Sequence, residues 1–476
     1  GSPARRAPRP DGLPGQTGAV GRTGAVGRTG AVGRTAYGQW FPRWRLERHY
    51  RDPVSSIRPR PVVAHARLPM VGRDPQEPHR VATSLELLFD LTFVVAISLC
   101  GSQLAHAIAA GHGIVGAAGF AFGMFGILWA WMNYTWFASA FDTDDWAVRI
   151  ATLVQMVGVL VLGLGQAPFF ASLEHGHADN RVLIAGYVVM RVSMVYLWMR
   201  VSKESPEYAI KGHAYAKWIV VVQLVWVALG IAPLTLPWAI AGGLVAMVLE
   251  VLGLYWVQSR VGGPNTPWHP HHIAERYSLL VIIALGEVIL GTTTAVGALV
   301  DRQGWSIDAG VVAVAGIALA VALWWTYFAV PWASLLAAAP TKAFGFGYGH
   351  MPFYAFVGAI GAGLHVTAYV IAGESEVGTL GAVMAVAIPL ALAMVFIFRF
   401  ASYLLPGGPA FHSGLVTVIV LVLVGAVALA AAGAPISWCL GVVVLAPWLA
   451  VAVFEVRGHR QIARRLDEHG ITTAHD

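Results

Sequence analysis

Long apolar runs limit what this chain can fold into. A helix needs about 20 apolar residues to cross the hydrocarbon core of a bilayer, and runs of that length recur from Ser84 onward with short polar links between them. Charged residues make up 12% of the chain, against about 25% in soluble domains. The sequence therefore predicts an all-α, polytopic transmembrane helix bundle of about 12 spans.

The distribution of basic residues predicts the orientation of these spans. The spans are expected at 84–110, 114–138, 147–171, 181–201, 214–233, 237–257, 273–296, 309–330, 351–372, 378–400, 413–432 and 436–455. If the N-terminal tail is cytoplasmic, most Lys and Arg of the links lie on that side, and the opposite side holds only Arg181 and Arg302. The positive-inside rule then predicts an even number of spans with both termini in the cytoplasm.

The N-terminal region differs in composition from the rest. TGAVGR occurs three times between Thr17 and Arg34, in a stretch rich in Pro and Arg. Such low-complexity basic segments bury too little apolar surface to fold. The predicted organisation is a disordered basic tail (1–80), a first six-helix half (81–260), a second six-helix half (261–457) and a cytoplasmic C-terminal tail (458–476).

The two halves have similar openings. SLELLFDLTFVVAI starts the first span, and IAERYSLLVIIALGEVI starts the seventh. Aligning Glu86 with Glu275 also brings NYTWF (133–137) close to WWTYF (324–328). Both halves would begin on the same side of the membrane, so the sequence predicts a parallel six-plus-six internal duplication.

Five stretches carry a family resemblance. They are LELLFDLTFVVAI (85–97), FDTDDWAVRIATLVQMVG (141–158), HIAERYSLLVIIALGEVIL (272–290), WWTYF (324–328) and YGHMPFYAFVGAIGAG (348–363). Together and in this order they resemble the bacterial low temperature requirement protein A (LtrA) family, from about Arg80 to the last span. The resemblance implies a multi-pass protein of the bacterial cytoplasmic (inner) membrane. The family name refers to cold adaptation and leaves the chemistry open.

A second likeness concerns the start of the first span. Arg80 precedes LFD (88–90), which is similar to the Arg and Phe-Ser-Asp motif of the bacterial and lysosomal potassium channels built from two six-helix repeats. Here the Ser is missing and the spacing from the Arg is longer. This likeness implies a potassium-type cation channel, with a homodimer as its expected assembly, as an alternative function.

Two carboxylates lie in the first two turns of the first span. Glu86 and Asp90 are four residues apart and share one helix face. An ionisable group at membrane depth costs about 2.5–3.5 kcal/mol. Glu86 suits the positive end of the helix dipole, whereas Asp90 lies deeper. A structural ion pair with Arg149 or Arg191 and a place on an ion or proton path both remain open.

The seventh span carries a deeper carboxylate. Glu275 and Arg276 are expected near the cytoplasmic side, and Glu287 lies about 18 Å farther along the helix axis. A glutamate at this depth cannot reach either membrane surface. Glu287 is therefore the strongest candidate for a functional carboxylate. The alternatives are a buried structural partner of Arg191 and a hydrogen bond to a Tyr or Trp.

Other ionisable residues fall within the spans. Arg191 lies near the membrane midplane and is expected to face the bundle interior, where it pairs with a carboxylate or attracts an anion. His365 is either a proton relay or a satisfied buried histidine. Arg149 and Arg276 are expected to form structural ion pairs. The remaining candidates are Glu250, Arg399 and Glu455.

Several function classes find no support in the sequence. It contains no phosphate-binding loop, His-Glu-x-x-His motif or nucleophile elbow. We therefore predict no catalytic residue and no cofactor, which argues against an enzyme.

Three histidines precede the seventh span, His269, His271 and His272. A zinc site needs three or four convergent ligands, and no metal is predicted. The basic residues lie in the tail and links, which does not favour nucleic acid. Asp142, Asp144 and Asp145 are typical of a helix start.

We therefore expect a secondary transporter or an ion-translocating protein. The residues expected on its ion, proton or substrate path are Glu86, Asp90, Arg191, Glu275, Glu287 and His365. A potassium-type channel and a membrane-embedded structural or lipid-active protein with no transport path are the alternatives. The expected partners are membrane lipids and a small solute or ion.

Overall fold

The computed structural model describes residues 66–77, 80–405, 410–468 and 470, and every regular element within them is helical. The helices are α1 (Ser84–Ala109), α2 (Gly113–Phe141), α3 (Trp146–Leu164), α4 (Gln166–Glu174), α5 (Arg181–Glu204), α6 (Ala209–Ile231), α7 (Leu236–Arg260), α8 (Pro270–Gln303), α9 (Ile307–Phe328), α10 (Trp332–Ala338), α11 (Ala343–Ala372), α12 (Gly378–Leu404), α13 (Ala410–Ala431), α14 (Ile436–Val453) and α15 (His459–Glu468). A π-helical turn joins α14 to α15.

Twelve helical segments in the described part of the chain are long and apolar enough to cross a membrane, which confirms the expected number of spans. Two of these spans contain a break, because α4 follows α3 after Gly165 and α10 follows α9. A Cβ atom on Gly165 would lie 2.7 Å from the amide nitrogen of Leu183. Glycine at the first break therefore lets the start of α5 approach the backbone closely.

Side-chain caps fix where several helices begin, among them α1 and α3. At α1, the Thr83 hydroxyl accepts a hydrogen bond from the Glu86 amide (3.2 Å), and the Glu86 carboxylate accepts one from the Thr83 amide (2.8 Å). This reciprocal pair is a capping box. At α3, the Asp145 carboxylate accepts hydrogen bonds from the Ala147 and Val148 amides. The start of α1 thus sets the position of the Glu86 carboxylate.

The helices of the two halves have the same order of neighbours. In the first half, α1 packs on α2 and α3, and α3, α5, α6 and α7 pack in succession. In the second half, α8 packs on α9 and α11, and α11, α12, α13 and α14 pack in succession, with α14 closing back on α9. The halves meet where α1 contacts α8 and α11. These three helices form the centre of the bundle.

Helices α8 and α11 cross in backbone contact. A Cβ atom on Gly291 would lie 2.5 Å from the carbonyl oxygen of Gly361, and a Cβ atom on Gly361 would lie 2.7 Å from the carbonyl oxygen of Glu287. Small residues allow such close crossings in membrane bundles. The crossing places the backbone at Glu287 in the interior of the bundle.

We call the end of the bundle at which α1 begins the near end, and the opposite end the far end. Residues 66–77 belong to the predicted tail, yet they pack on the near end. Met70 is fully buried, its amide donates to the Glu204 carboxylate (2.8 Å), and the Arg73 amide donates to the carbonyl oxygen of Ala140 (2.9 Å). Residues 1–65, 78 and 79 of the predicted N-terminal tail lie outside the described residues, and so do residues 469 and 471–476 of the C-terminal tail.

Candidate functional site

Arg276 on α8 holds both carboxylates of α1. Its Nη1 donates to Glu86 Oε1 (2.7 Å), and its Nη2 and Nε donate to Asp90 Oδ1 (2.5 Å) and Oδ2 (3.2 Å). Trp131 on α2 also donates to Asp90 Oδ1 (2.7 Å). The three charged side chains are at most 1% exposed, so water screens their attraction little. We call these four residues the Arg276 cluster.

Two further basic groups border the Arg276 cluster. His272 lies one turn before Arg276 on α8, with its Nε2 3.2 Å from Glu86 Oε1. Arg80 precedes α1, donates to the carbonyl oxygen of Ala138 (2.8 Å), and lies close enough for its charge to act on Glu86. The Arg276 cluster has two carboxylates for one guanidinium, and the guanidinium of Arg80 offsets part of the excess negative charge.

The cation that pairs with the α1 carboxylates is Arg276, which was expected to form a structural ion pair but had no predicted partner. Arg149 lies at the near end and pairs with Asp144 (2.9 Å), where both side chains are partly exposed. Arg191 belongs to a separate cluster in the first half. The expectation that Arg149 or Arg191 pairs with the carboxylates of α1 was therefore wrong, because Arg276 reaches them from the second half of the chain.

A second buried cluster lies within the first half. Arg191 Nη2 on α5 donates to Glu250 Oε2 on α7 (3.0 Å) and to the Tyr187 hydroxyl (2.5 Å). Glu250 also accepts from the Tyr187 hydroxyl (2.6 Å) and from Trp129 Nε1 (2.9 Å). The Nε and Nη1 atoms of Arg191 are buried without a hydrogen-bond partner among the described residues. We call Trp129, Tyr187, Arg191 and Glu250 the Arg191 cluster.

Glu287 lies outside both clusters. It is 4% exposed and lies beside the Ser98 hydroxyl of α1. In the described part of the chain, no Lys, Arg or His comes within ion-pair distance of its carboxylate. The alternative that Glu287 is a buried partner of Arg191 was wrong, since Arg191 pairs with Glu250. Glu287 is therefore a buried carboxylate with a neutral neighbour.

The two other predicted path residues also stand apart from the clusters. Glu275 is half-buried at the near end, where its Oε2 accepts from the Ala82 amide (3.1 Å). His365 is half-buried in the far half of α11, in the neighbourhood of His106. The structure thus brings together two of the six predicted path residues, Glu86 and Asp90, and separates the others.

The link between α2 and α3 carries two carboxylates with opposite pKa shifts. Burial, together with the negative charge of Glu86, raises the pKa of Asp142 to about 6. Burial acts in the same direction on Asp145, but hydrogen bonds from Arg200 (2.5 and 2.9 Å) and from the Val148 amide outweigh it and lower the pKa of Asp145 to about 2. Asp142 therefore changes its charge in the mildly acidic range.

The histidines before α8 build the start of that helix. His269 Nδ1 accepts from the His272 amide (3.3 Å), and His269 Nε2 lies 2.9 Å from the carbonyl oxygen of Glu77. Within the described ranges, no group of three or more His, Cys, Asp or Glu side chains is arranged to hold a metal ion. The histidine pattern of the sequence is explained by helix capping and by the contact of His272 with Glu86.

A cavity of about 370 Å³ lies at the near end. Its walls come from α2, α5, α6 and α7 of the first half, and from the link before α8 and the first turns of α11 in the second half. Aromatic rings and side-chain amides predominate in the lining, which includes Asn133, Trp136, Trp198, Gln258, Asn265 and Trp268. The cavity therefore spans the boundary between the two halves.

Aromatic contacts connect the cavity to both clusters. Tyr348 lines the cavity and stacks on Trp129 of the Arg191 cluster, with 5.5 Å between the ring centroids. Trp136 lines the cavity and donates from Nε1 to the Tyr277 hydroxyl (3.0 Å). The Tyr277 ring meets Trp131 of the Arg276 cluster edge to face, at 4.9 Å. A bound molecule that moved Trp136 or Tyr348 would therefore disturb the surroundings of the buried charges.

Two parts of this site were not assigned from the sequence. Glu250 was named as an ionisable candidate but given no role, although it is the only acidic residue of α7 and a lone carboxylate in an apolar span favours a place in the site. The cavity is assembled from short aromatic and amide segments of several helices, and none of those segments forms a motif by itself.

Comparison with known proteins identifies relatives of this chain. A family model described as bacterial low temperature requirement A protein (LtrA) matches residues 81–447, which confirms the resemblance carried by the five sequence stretches. An uncharacterized protein of Rhizobium meliloti (strain 1021) is 26% identical over 249 residues, which make up 51% of this chain and 57% of that protein. The match thus spans little more than half the length of this relative. No solved structure matches.

Proposed function

We propose that this chain, which belongs to the bacterial low temperature requirement A family, is a secondary transporter for a small solute. It is an integral membrane protein with twelve helices able to span a membrane in its described part. The observation that carries the proposal is the near-end cavity of about 370 Å³, whose walls come from both halves of the bundle. Cavities of this size suit small molecules, and transporters bind their substrates between repeated halves.

The order of helix neighbours supports a parallel duplication. In each half the first helix packs on the second and third spans, and the third to sixth spans pack in succession. Two similar halves that start on the same membrane side fit a transporter in which the halves rock about a shared site. The basic links favour an orientation with both termini in the cytoplasm of a bacterial inner membrane, so the near end would face the cytoplasm.

The Arg276 cluster suits a contact that closes and opens during transport. It joins α1 and α8, which are the first helices of the two halves. A buried ion pair is specific in geometry but gives little net stability, so it can hold one arrangement of the halves without making that arrangement permanent. Glu287, which lies deeper in α8 and has a neutral neighbour, is the proposed site for the coupling ion or proton.

Flux through reconstituted protein tests the proposal. We would place the full chain in liposomes that contain a pH-sensitive dye and add amino acids, sugars, organic cations and organic carboxylates in turn. We expect wild type to take up one of these classes and the Glu287→Gln variant to lose the accompanying proton or ion movement. Glu374→Gln, at an exposed position of the far end, is the matched control and should behave like wild type.

The alternatives give different outcomes. A potassium current that needs no solute would contradict the transporter and indicate a channel. Absence of both solute uptake and ion current from folded wild type would overturn the transporter and favour a structural or lipid-active protein.

A further inference from the structure

We infer that the near-end cavity binds a small aromatic carboxylate, with its ring against the tryptophan and tyrosine side chains and its negative charge toward Lys211. This inference names the substrate class of the proposed transporter, and its role in uptake rests on that proposed function. Binding to the cavity can be measured without it.

The walls of the cavity offer flat apolar surfaces. Trp198 and Tyr215 stack with their ring centroids 4.1 Å apart, Trp136 and Trp268 meet edge to face at 5.2 Å, and all four side chains line the cavity. Aromatic rings of a ligand gain from stacked and edge-to-face contacts beyond the burial of their area. The lining therefore favours a ligand with a flat ring.

A buried ammonium group lies directly behind the lining. Lys211 on α6 is 2% exposed, and its Nζ donates to Asn265 Oδ1 (2.6 Å) and to the carbonyl oxygen of Gln258 (3.1 Å). Asn265 and Gln258 both line the cavity. Gln258 lies in the last turn of α7, and the negative end of a helix dipole favours a cation there. A positive charge therefore lies one hydrogen bond away from the lining.

The hydrogen-bonding groups of the lining also favour an acceptor. The Lys211 ammonium donates a hydrogen bond to the side-chain carbonyl oxygen of Asn265. The NH₂ group of Asn265 therefore remains to interact with a ligand. Among the described residues no acceptor is found for this group. A carboxylate oxygen would supply one, whereas an ammonium group could not.

Two of the segments that line the cavity carry positive charges only. Residues 254–268 contain Arg260, residues 340–348 contain Lys342, and neither segment contains Asp or Glu. Clefts lined by charges of one sign raise the local concentration of ligands of the opposite sign. Aromatic rings alone would also attract organic cations, but the Lys211 ammonium, which bonds Asn265 of the lining, opposes a cation here.

Three probes with one ring and different charges test the inference. We would measure binding of 2-naphthoate, 2-naphthamide and 2-naphthyltrimethylammonium to the purified full chain by titration calorimetry. We expect naphthoate to bind at least tenfold more tightly than the amide, and the ammonium compound to bind most weakly. Equal affinity for the three probes, tighter binding of the ammonium compound, or no binding of any probe would overturn the inference.

Matched variants separate charge recognition from a structural effect. Lys211→Gln should remove the preference for naphthoate over naphthamide, whereas Lys217→Gln, at an exposed position of the same helix, should keep it. Because Lys211→Gln could disturb folding, Asn265→Asp provides a second test, since it keeps the side-chain shape and adds a negative charge. We expect it to weaken naphthoate at least tenfold and to leave naphthamide unchanged. If both variants keep the preference for naphthoate, the assignment to this cavity is wrong.

Two further measurements distinguish this inference from the proposed transport function and from binding of a lipid in the cavity. Naphthoate that binds but is not taken up by liposomes would support the site and contradict the transporter. Uptake of another solute class without naphthoate binding would support the transporter and overturn the inference.

Binding should also be repeated in phosphatidylcholine nanodiscs with and without phosphatidylglycerol. Loss of naphthoate binding with phosphatidylglycerol would assign the cavity to an anionic lipid and overturn the inference.

Discussion

The Arg276 cluster and the Arg191 cluster both bury an arginine, but they satisfy it differently. Nη1, Nη2 and Nε of Arg276 all donate to carboxylates. In the Arg191 cluster only Nη2 has partners, and Nε and Nη1 have none in the described part of the chain. Arg276 pairs with two carboxylates, whereas Arg191 pairs with Glu250 alone. The Glu250 carboxylate also accepts hydrogen bonds from Tyr187 and Trp129.

This difference follows from where the clusters lie. The Arg276 cluster joins α1 to α8 and so connects the two halves, whereas Arg191 and Glu250 both belong to the first half. A buried charge is strongly destabilising when its partner is removed. The number of charges left unpaired therefore predicts which cluster depends more on its arginine.

The largest expected effect comes from Arg276→Met, which leaves two buried carboxylates without their cation. We expect it to lower the free energy of unfolding by about 3–5 kcal/mol, measured by thermal unfolding of the purified protein in detergent. Arg149→Met removes a cation from a partly exposed pair and should cost less than about 1 kcal/mol. An equal loss in the two variants would contradict a structural role of the Arg276 cluster.

Arg191→Met should have a smaller effect. The Glu250 carboxylate would keep its hydrogen bonds from Tyr187 and Trp129, so we expect a loss of about 1–3 kcal/mol in the same measurement. The double variant Arg191→Met/Glu250→Gln should recover part of the loss, because it removes the unpaired charge. If Arg191→Met is as destabilising as Arg276→Met, the number of stranded carboxylates does not decide the difference between the clusters.

The link between α2 and α3 carries two carboxylates, Asp142 and Asp145, whose pKa shifts make stability depend on pH in opposite ways. Asp145 has a pKa lowered to about 2, so its contribution to stability is complete above the unfolded value of about 3.9 and is lost as the pH falls toward 2. Asp142 has a pKa raised to about 6. The folded protein therefore holds this proton more tightly than the unfolded chain does, and stability is lost as the pH rises from about 4 to 6.

We therefore expect Asp142→Asn to be more stable than wild type at pH 7, by on the order of 1 kcal/mol. Near pH 4 the two proteins should unfold alike, because Asp142 is then protonated in wild type. Thermal unfolding between pH 4 and 7 measures this, and Asp467→Asn, at an exposed position, is the control. A constant difference between Asp142→Asn and wild type at every pH would refute the assignment.

The smallest effect on stability is expected for Glu287→Gln. Glu287 has no cationic partner among the described residues, so the substitution strands no charge, and the free energy of unfolding should change by less than about 1 kcal/mol. The same unfolding measurement checks this. A loss as large as that of Arg276→Met would show that Glu287 is structural, and its proposed role in ion coupling would be withdrawn.

More of the fold than of the site could be predicted from the sequence. Apolar runs of membrane-spanning length predict the number of spans because the bilayer requires every backbone group to be satisfied within a helix. The break after Gly165 could not be foreseen in this way, since it reflects the close approach of α5, which belongs to the packing of the bundle rather than to local sequence.

The site was predictable only where residues are neighbours along one helix. The spacing of Glu86 and Asp90 indicates a common face, but nothing in it indicates that Arg276 is the partner. That choice depends on how α1 and α8 meet. The cavity was not predicted at all, because its aromatic and amide side chains come together only after both halves have packed.

The distance along the chain between the charges of the Arg276 cluster has a consequence for biosynthesis. Glu86 and Arg276 are 190 residues apart, so at about 5–20 residues per second a ribosome needs about 10–40 s to supply the cation after the carboxylates have been made. Arg191 and Glu250 are only 59 residues apart. During membrane insertion, α1 must therefore wait with its carboxylates near water until α8 emerges, whereas the Arg191 cluster can close while the first half is still leaving the translocon.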